Sequence, residues 1–418
     1  MNKDRLKLNM PKLLQINITA NWGSTGRIAE QIGSLAQKRG WDSYIAYGRY
    51  SNSSQSHLIK VGSIVDSLLH FVMQSIFDNE GLNSKRATQK LVCQIKEINP
   101  DIVHLHNIHD HYLNYKILFT FLNQTQIKVV WTFHDFWAIT GHCMHFVTKE
   151  CSLYKKGCHE CPMRKVYPKT LMDNSKNNYE VKKCLFTANS NLTIVPVSNW
   201  VADIVKNSFL KDNHIRVIPN GIDLKIFQPT DLTTLEAKFS YKDFLVLSKD
   251  KFIIIGVASQ WNYDKGLNDY IKLSKKLAED EIIVLVGINN KIIKKLPSNI
   301  VGIKRTSDQH ELAALYSRAN VVTNLSNAET FGLTIVEGYA CGTPAVVYDN
   351  TAPPSLITKQ TGLVVETNNV DELYNAISII RNHGDQYYYA NCIQLAKEKY
   401  DKEKCYNQYI ELYEELIK

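Results

Sequence analysis

The segment from Ala328 to Val346 places the strongest constraint on how this chain can fold. It follows an apolar pair at residues 321–322 and passes through an acidic, glycine-containing turn. A short helix is predicted to start near Gly332 and to end at Gly342, where glycine is a common stop signal. A new strand is predicted over residues 345–348. A strand, a helix and another strand in this order form a βαβ step, which indicates a parallel sheet.

Two carboxylates, Glu329 and Glu337, stand eight positions apart in this segment. Ligands of parallel α/β sheets bind outside the carboxyl ends of the strands, where Glu329 and the start of the helix are expected. The backbone N–H groups of Phe331, Gly332 and Leu333 would lie in the first turn, where they lack intrahelical acceptors. The segment therefore predicts a site for a phosphate or for sugar oxygens.

The chain has 418 residues, which is too many for one ordinary hydrophobic core, so two domains are expected. Its 44% hydrophobic and 22% charged residues are typical of a globular protein. No apolar run approaches the length of a transmembrane helix. Residues 1–10 are polar and basic and lack the apolar core of a secretory signal, so a cytoplasmic location is expected.

Charge is shared unevenly along the sequence. Residues 1–196 contain 24 Lys and Arg against 14 Asp and Glu, a net of +10. The whole chain has 49 basic and 41 acidic residues, which leaves 25 and 27 for the remainder, a net of −2. A basic first half suggests an anionic partner, which could be nucleic acid, an anionic membrane or a diphosphate-bearing acceptor. A plain solvated surface is the alternative.

A glycine-containing turn follows the first predicted strand, residues 13–19. Gly23 and Gly26 lie in this turn, ahead of an amphipathic helix expected from about Arg27 to Arg39. Glycines here would let the backbone approach a ligand closely. The third glycine of the dinucleotide-binding fingerprint is missing, and an ordinary strand-to-helix turn is the alternative.

A helix predicted over residues 64–77 has a broad apolar face, with Ile64, Leu68 and Val72 among the residues at helical spacing. Packing into the core is the favoured interpretation. Exposure toward a membrane or a lipid acceptor is the alternative.

Histidines follow two of the predicted strands of the first half. His104 and His106 lie on one face at the end of strand 102–105, and His134 follows strand 128–132. No carboxylate of matching spacing completes a metal site with the first two, so we expect hydrogen-bonding roles near an interdomain cleft. His134 lies at the functional edge of such a sheet, although a buried structural histidine is the alternative.

Four of the nine cysteines fall within 19 residues, in the pattern Cys-x7-Cys-x6-Cys-x2-Cys. Thiolates in a Cys-x2-Cys turn can reach one tetrahedral ion, and two further cysteines can close the site. In a cytosolic protein such a cluster is more often a metal site than a set of disulfides. We therefore predict a structural zinc in a loop at 141–162, with no open position for chemistry. The predicted ligands are Cys143, Cys151, Cys158 and Cys161, and His142, His145 or His159 could replace one of them.

Lys265 and Gly266 stand at the start of a predicted helix, after the strong strand 252–257. A lysine beside a helix N-terminus suits a diphosphate, because its charge adds to the helix dipole. A solvated surface lysine is the alternative. The sequence contains neither an internal repeat nor a nucleotide-triphosphate P-loop.

Taken in order, these motifs resemble the retaining GT-B glycosyltransferases of family 4. The resemblance spans nearly the whole chain. It is carried by the Gly23/Gly26 turn, residues 220–223 (Asn-Gly-Ile-Asp), Lys265-Gly266 and Glu329-x7-Glu337 with Phe331-Gly332-Leu333. The first half, with residues 104–107, 131–135 and 140–143, is similar to the branch that builds bacterial exopolysaccharide, capsule and O-antigen, of the colanic-acid type.

The resemblance implies an α/β fold of two Rossmann-like domains that face each other across a cleft. Residues 1–200 would bind the acceptor, residues 201–398 would bind the nucleotide sugar, and residues 399–418 would form a helix that returns to the first domain. The implied reaction transfers a sugar from a nucleotide diphosphate, with uridine the expected base, to a lipid-linked or saccharide acceptor. The enzyme would work without a catalytic metal, in the cytoplasm or at the inner face of the plasma membrane.

The resemblance also implies residue roles. Glu337 would hold the ribose hydroxyls, Glu329 would hold the donor sugar, and Lys265 would neutralise the leaving diphosphate. The Gly23–Gly26 turn would close over the phosphate, and His134 would lie against the sugar near the reaction centre.

The sequence departs from the family pattern at one point. The family commonly has an arginine shortly before the lysine, and this chain has Gln260 or Trp261 there. Arg27 or Arg305 would then assist Lys265.

Two other classes of function remain as alternatives. A nucleotide-sugar epimerase would share the two-domain architecture and act on the donor alone. A zinc-containing nucleic-acid-binding protein would explain the basic half and the cysteines but would leave the glutamate pair without a role.

Overall fold

The computed structural model describes residues 10–230 and 251–418. The chain divides into two units, one comprising residues up to Pro219 together with Cys405–Lys418, and the other Asn220–Lys404. The division lies later than the boundary expected after residue 200. The reason is that two further elements, a helix at Asn199–Lys206 and a strand at His214–Ile215, still belong to the first sheet and its covering layer.

The first unit is built on a seven-stranded sheet. Its strands pair in parallel in the order β3-β2-β1-β4-β5-β6-β7. They are β1 Lys12–Asn17, β2 Asp42–Tyr47, β3 His57–Lys60, β4 Ile102–Leu105, β5 Lys128–Phe133, β6 Leu192–Pro196 and β7 His214–Ile215. The helices are α1 Gly23–Lys38, α2 Ile64–Phe77, α3 Lys85–Ile98, α4 Tyr115–Leu122, α5 Ser175–Thr187 and α6 Asn199–Lys206.

The second unit is built on a six-stranded parallel sheet in the order β10-β9-β8-β11-β12-β13. Its strands are β8 Phe252–Val257, β9 Glu281–Val286, β10 Ile300–Ile303, β11 Val321–Asn324, β12 Ala345–Tyr348 and β13 Gly362–Val365. The helices are α7 Leu267–Leu273, α8 Asn290–Ile293, α9 Gln309–Arg318, α10 Leu333–Ala340, α11 Val370–His383 and α12 Asp385–Lys399. The final helix of the chain is α13, Lys402–Ile417.

Both sheets follow the Rossmann pattern, in which the strand order reverses once. The reversal lies between β1 and β4 in the first unit and between β8 and β11 in the second. At such a point the two neighbouring connections leave on opposite faces of the sheet and open a crevice at the carboxyl ends of the strands. The predicted fold class of two Rossmann-like α/β domains is confirmed.

The C-terminal helix completes the core of the first unit. Tyr406, Tyr409, Ile410 and Tyr413 of α13 are buried in one apolar cluster with residues of α1, β1, β4, β5 and β6. The predicted return of this helix to the first domain is therefore observed.

Helix α2 has the opposite orientation to the one expected. Its buried residues are the polar His70 and Gln74, whereas Ile64 is 85% exposed. His70 contacts the Ser84 hydroxyl through Nδ1 at 2.8 Å, so the polar side of the helix forms hydrogen bonds with neighbouring loops. The expectation of core packing was wrong, because the inward positions are hydrogen-bonding ones. The exposed apolar residues also include Val65, Leu68, Leu69, Phe71, Val72, Met73, Ile76 and Phe77.

Within the described residues, every helix is too short or too polar to cross a lipid bilayer.

Candidate functional site

Lys265 and Glu329 meet at the point of the second sheet where the strand order reverses. Lys265 lies on the loop that leaves β8, and Glu329 on the loop that leaves β11. The Lys265 Nζ donates to Glu329 Oε2 at 2.9 Å, and both side chains remain partly exposed, at 32% and 22%. The structure thus brings together two of the predicted site residues.

A close backbone approach brings these two loops together. Gly266, with φ +72°, caps the N-terminus of α7, and a Cβ atom on it would lie 2.3 Å from the Leu325 carbonyl oxygen. The backbone N–H of Asn327 donates to the Asp264 carbonyl at 2.8 Å. A glycine is required at this position because a side chain would push the two loops apart. Gly266 therefore sets the distance between Lys265 and Glu329.

Helix α10 carries the second carboxylate of the opening segment. It begins after Gly332, whose φ of +106° suits only glycine, and the Phe331 ring before it is buried against Tyr400. Glu337 lies on this helix and accepts a hydrogen bond from the Tyr316 hydroxyl at 3.0 Å. Burial, together with the Glu337 charge, raises the pKa of Tyr316 well above its usual value, so Tyr316 remains a proton donor.

Trp261 and Gln260 stand at the position of the family arginine, and Arg305 is one of the residues expected to assist Lys265 instead. Trp261 is buried, donates its indole N–H to the Val286 carbonyl at 2.8 Å and packs edge-on against Tyr270. It therefore supports the core. Gln260 is exposed. Arg305 is exposed on the loop after β10, the edge strand of the sheet, and so is two strands away from Lys265.

The Gly23–Gly26 segment is the first turn of α1 and not a separate loop. Helix α1 begins at Gly23, and a Cβ atom on Gly26 would lie 2.5 Å from the Thr19 hydroxyl and 3.2 Å from its carbonyl oxygen. The expected turn with a later helix start near Arg27 was wrong, since the glycines permit helix α1 to pack closely on the end of β1. Gly23, with φ +67°, has open space around its missing side chain.

His106 and His134 form a hydrogen-bonded chain with Gln15 across three strands. Gln15 donates its amide to the Ala29 carbonyl at 2.7 Å, so its Oε1 accepts from His106 Nε2 at 3.1 Å. The remaining nitrogen of His106, Nδ1, contacts His134 Nε2 at 3.1 Å. Burial holds the pKa of both histidines below the usual value. Two neutral rings then require that His134 donates from Nε2 and keeps its lone pair on Nδ1.

His104 takes a structural role that the sequence did not reveal. Its Nδ1 contacts the Tyr413 hydroxyl at 2.7 Å and its Nε2 contacts the Thr132 hydroxyl at 2.7 Å. Thr132 also contacts the Tyr409 hydroxyl at 3.0 Å. One of the two polar partners of this fully buried histidine, Tyr413, therefore lies on the C-terminal helix, 309 residues away in the chain. Sequence spacing offers no signal for such a contact.

Asp135, next to His134, pairs with a histidine that sequence reasoning did not single out. The His109 Nε2 lies 2.8 Å from Asp135 Oδ2, and both side chains are largely buried. Burial opposes protonation of His109, but the Asp135 carboxylate outweighs it and raises the pKa of His109. The His109 charge and hydrogen bond outweigh burial in turn and lower the pKa of Asp135 to about 2.

The four clustered cysteines line one small cavity in the loop at 141–162, together with His142 and His159. No cysteine of the described part of the chain forms a disulfide. Among the described residues, however, no three of the four sulfurs lie within 4.8 Å of one another.

Within the described part of the chain, one group does bring three potential metal ligands within 4.8 Å: His70, Glu80 and His111. Sequence reasoning missed it because its members lie on separate elements. Glu80 Oε1 accepts the backbone N–H groups of Asp110 and His111 at 2.8 and 3.0 Å, and Glu80 Oε2 pairs with the His111 ring. The Gly81 N–H donates to His70 Nε2 at 3.1 Å. These contacts tie Glu80 to the backbone at Asp110 and His111, and they bring the Glu80 and His111 side chains together.

Comparison with known families assigns both halves of the chain. Residues 25–226 match the model of "Glycosyltransferase Family 4", and residues 240–399 match that of "Glycosyl transferases group 1". The chain is 23% identical over 375 residues to the putative colanic acid biosynthesis glycosyl transferase WcaC of Escherichia coli, an alignment that covers 86% of this chain and 89% of WcaC. It is 24% identical over 309 residues to the alpha-monoglucosyldiacylglycerol synthase of Acholeplasma laidlawii, covering 71% and 70% of the two chains.

Solved structures show the same fold. Sucrose-phosphate synthase from Thermosynechococcus elongatus superimposes with a TM-score of 0.72 at 17% identity, covering 97% of this chain and 99% of that one. HepE of Anabaena in complex with UDP superimposes with a TM-score of 0.66 at 14% identity, covering 97% and 100%.

Proposed function

Because this chain is a glycosyltransferase of family 4, we propose that it transfers a sugar from a nucleotide diphosphate sugar, with retention at the anomeric carbon, to a saccharide or lipid-linked acceptor in bacterial surface polysaccharide synthesis. The observation that carries the donor part is the Lys265–Glu329 contact at the strand-order reversal of the second sheet. This is the place where open α/β sheets bind nucleotides.

The ion pair has the properties of a site that exchanges partners. Both side chains are partly exposed, so their mutual attraction is screened by water and contributes little to stability. A diphosphate carries more negative charge than one carboxylate and would replace Glu329 as the partner of Lys265. Glu329 would then accept hydrogen bonds from hydroxyl groups of the donor sugar, and the N–H groups of Phe331 to Leu333 at the start of α10 would donate to sugar oxygens.

Glu337 is our candidate for the ribose. One of its oxygens accepts the Tyr316 hydroxyl, which fixes the direction of the carboxylate along α10. A carboxylate has lone pairs for further donors, so it can accept ribose hydroxyls while it keeps this contact.

The chemical step places negative charge on the leaving diphosphate. Lys265 and the first-turn N–H groups of α10 would stabilise that charge, and the loss of one such donor typically costs about 3 kcal/mol of transition-state stabilisation. His134, held in one tautomer by His106, would accept a hydrogen bond through Nδ1 from the sugar or acceptor. We assign no residue as nucleophile, and the leaving phosphate oxygen would take the acceptor proton.

Uridine is the proposed base. HepE, which shares the fold, was solved with UDP, with UDP and glucose, and with UDP-glucose. The family resemblance points to the same base.

We assign the acceptor to the first unit and place that unit against an anionic membrane. Leu171 and Met172 lie beside α2, because their backbone N–H groups donate to the Ser75 and Ile76 carbonyls at 2.9 and 3.0 Å. Both side chains are exposed. The same loop carries the exposed Lys165 and Lys169. An apolar face with a basic rim suits a bilayer that contains anionic lipid, because apolar burial and charge attraction act together. A relative named for a glycolipid product agrees with this location.

Two substitutions test the donor site in opposite ways. In Lys265→Ala we expect UDP affinity to fall about 10-fold or more, since a charged hydrogen bond contributes about 1.5–3 kcal/mol. In Glu329→Ala, Lys265 loses its competing partner, so we expect UDP binding to be kept or strengthened while sugar transfer from UDP-glucose is lost. Lys276→Ala, an exposed lysine of the same unit, is the matched control. Calorimetry measures the affinity, and full transfer by either site variant would refute the assignment.

Vesicle sedimentation tests the membrane contact. We expect the chain to bind vesicles containing phosphatidylglycerol and to bind pure phosphatidylcholine weakly. The Leu68→Glu/Leu69→Glu variant should lose this binding, whereas Ile379→Glu, an exposed apolar residue of α11, should keep it. Unchanged binding by the α2 variant would contradict the proposal.

A further inference from the structure

We propose that Cys143, Cys151, Cys158 and Cys161 bind one structural zinc ion in the first unit. The proposal concerns the stability of the loop at 141–162 and does not depend on which sugar is transferred. Four thiolates leave no open coordination position, so the ion would have no part in the chemical step.

The four thiols share one small, partly open cavity. They line a single cavity of about 10 Å³, which corresponds to the volume needed for one water-sized occupant. The loop around it contains only two short 3₁₀ helices, Val147–Lys149 and Leu153–Lys155, and a small apolar cluster in which Phe146 stacks on Tyr154 at 4.5 Å. A loop with so little apolar burial of its own commonly depends on a metal ion for order.

One sulfur already accepts a backbone hydrogen bond. The Gly141 backbone N–H points at Cys158 Sγ, with N and S separated by 3.2 Å. A Cβ atom on Gly141 would lie 2.0 Å from the Ser175 carbonyl oxygen and 2.9 Å from the Cys158 Cβ, so only glycine allows this approach. The Gly141 N–H thereby fixes the orientation of this sulfur at the cavity.

A buried cation next to the cavity supplies charge complementarity. Lys182 is 1% exposed, and its Nζ donates to the Trp137 and Thr140 carbonyls at 2.7 and 3.0 Å. Its Nζ also lies 3.5 Å from the centroid of the Trp137 ring, and Asp78 and Glu80 are near enough to act on its charge. A zinc ion with four thiolates carries a net charge of −2, which would add to the attraction for this ammonium group.

The sulfurs must move slightly to complete the site. In tetrahedral zinc sites with Zn–S bonds of about 2.3 Å, the sulfurs lie roughly 3.8 Å apart. No three of these four meet even the wider 4.8 Å limit in the structure described above. Turning the thiol side chains toward the cavity centre would bring them together without a change of fold, because all four already line the same cavity.

The metal would fix the position of the segment that follows β5. His134 opens that segment, Trp137 and Thr140 are held by Lys182, and Cys143 would be tied through the metal to Cys158 and Cys161. The metal would therefore act as a positioning element for the strand exit that carries His134.

Metal content tests this directly. The full-length protein, dialysed against metal-free buffer, should contain about one zinc per chain by mass spectrometry. Cys158→Ser and Cys161→Ser should each lose the ion, and Cys93→Ser, an exposed cysteine of α3, should keep it. If the serine variants do not fold, the wild-type protein refolded with Co²⁺ tests the ligand set instead. We expect a strong sulfur-to-cobalt charge-transfer absorption, which four thiolate ligands produce.

Three results would overturn the proposal. They are a metal-free wild-type protein whose four thiols react freely, a cobalt form without that absorption, and metal that is retained in the cysteine variants but lost in His111→Ala. The last result would move the ion to the group of His70, Glu80 and His111.

Discussion

Gly266 offers a direct test of how the second unit brings Lys265 to Glu329. Its φ of +72° lies in the left-handed region, where a residue with a Cβ costs about 1–2 kcal/mol. In Gly266→Ala the new Cβ would also lie 2.3 Å from the Leu325 carbonyl oxygen, a contact so close that the backbone must shift. Such overpacking costs about 1–3 kcal/mol, so the expected total is about 2–5 kcal/mol.

Gly40 separates the two contributions. It follows α1 in the first unit with a positive φ of +84°, and a Cβ atom on it would meet nothing within 4 Å. Gly40→Ala should therefore lose only the conformational part, about 1–2 kcal/mol. Urea unfolding measures both free energies, and calorimetry should show weaker UDP binding in Gly266→Ala alone. Equal losses of stability in the two variants would refute the close approach between the β8 and β11 exit loops.

Two further predictions concern the first unit. Replacing Gln15 by Leu removes the acceptor of His106 Nε2, so we expect a loss of about 1–3 kcal/mol of stability. We also expect a mixture of tautomers at His134, which ¹⁵N NMR spectra would detect. An unchanged His134 signal would contradict the hydrogen-bonded chain. Asp135→Asn should be most destabilising between about pH 4 and 6.5, where Asp135 is ionised and His109 is protonated. Because Asp135 raises the pKa of His109, the stability from this ion pair is fully present below the unfolded pKa of His109 and is lost as the pH rises through its folded pKa. The loss of stability in Asp135→Asn should therefore shrink as the pH rises above about 6.5; a loss that is independent of pH would exclude the ion pair.

Local patterns predicted the elements of the sheets well, because buried parallel strands are short apolar runs between helix caps. The strands at 102–105, 252–257 and 345–348 coincide with the predicted ones. Strand β3 was not predicted, since its residues are mostly exposed at the edge of the sheet and carry no apolar alternation. Helix α2 was misjudged because an apolar stripe shows which residues share a face, but not whether that face points inward.

The sequence alone nominates the residues of the candidate site, but it does not predict which of them contact each other. Glu329, Glu337 and Lys265 follow from helix starts and strand ends, which are local signals. That Lys265 pairs with Glu329 depends on the packing of two loops, and these two residues are 64 positions apart in the chain, so only the fold brings them together. The same holds for the histidine chain, whose order depends on which strands are neighbours.

The burial of α13 in the first unit has a consequence for biosynthesis. The residues that fill the cluster around Trp41 and Ile218 include Tyr409 and Tyr413, which a ribosome makes only after the whole of the second unit. The first unit therefore leaves the ribosome with an unfilled groove in its core and must wait for the second to be translated. Its nascent form would expose apolar surface during that interval, which makes it a natural client for chaperones.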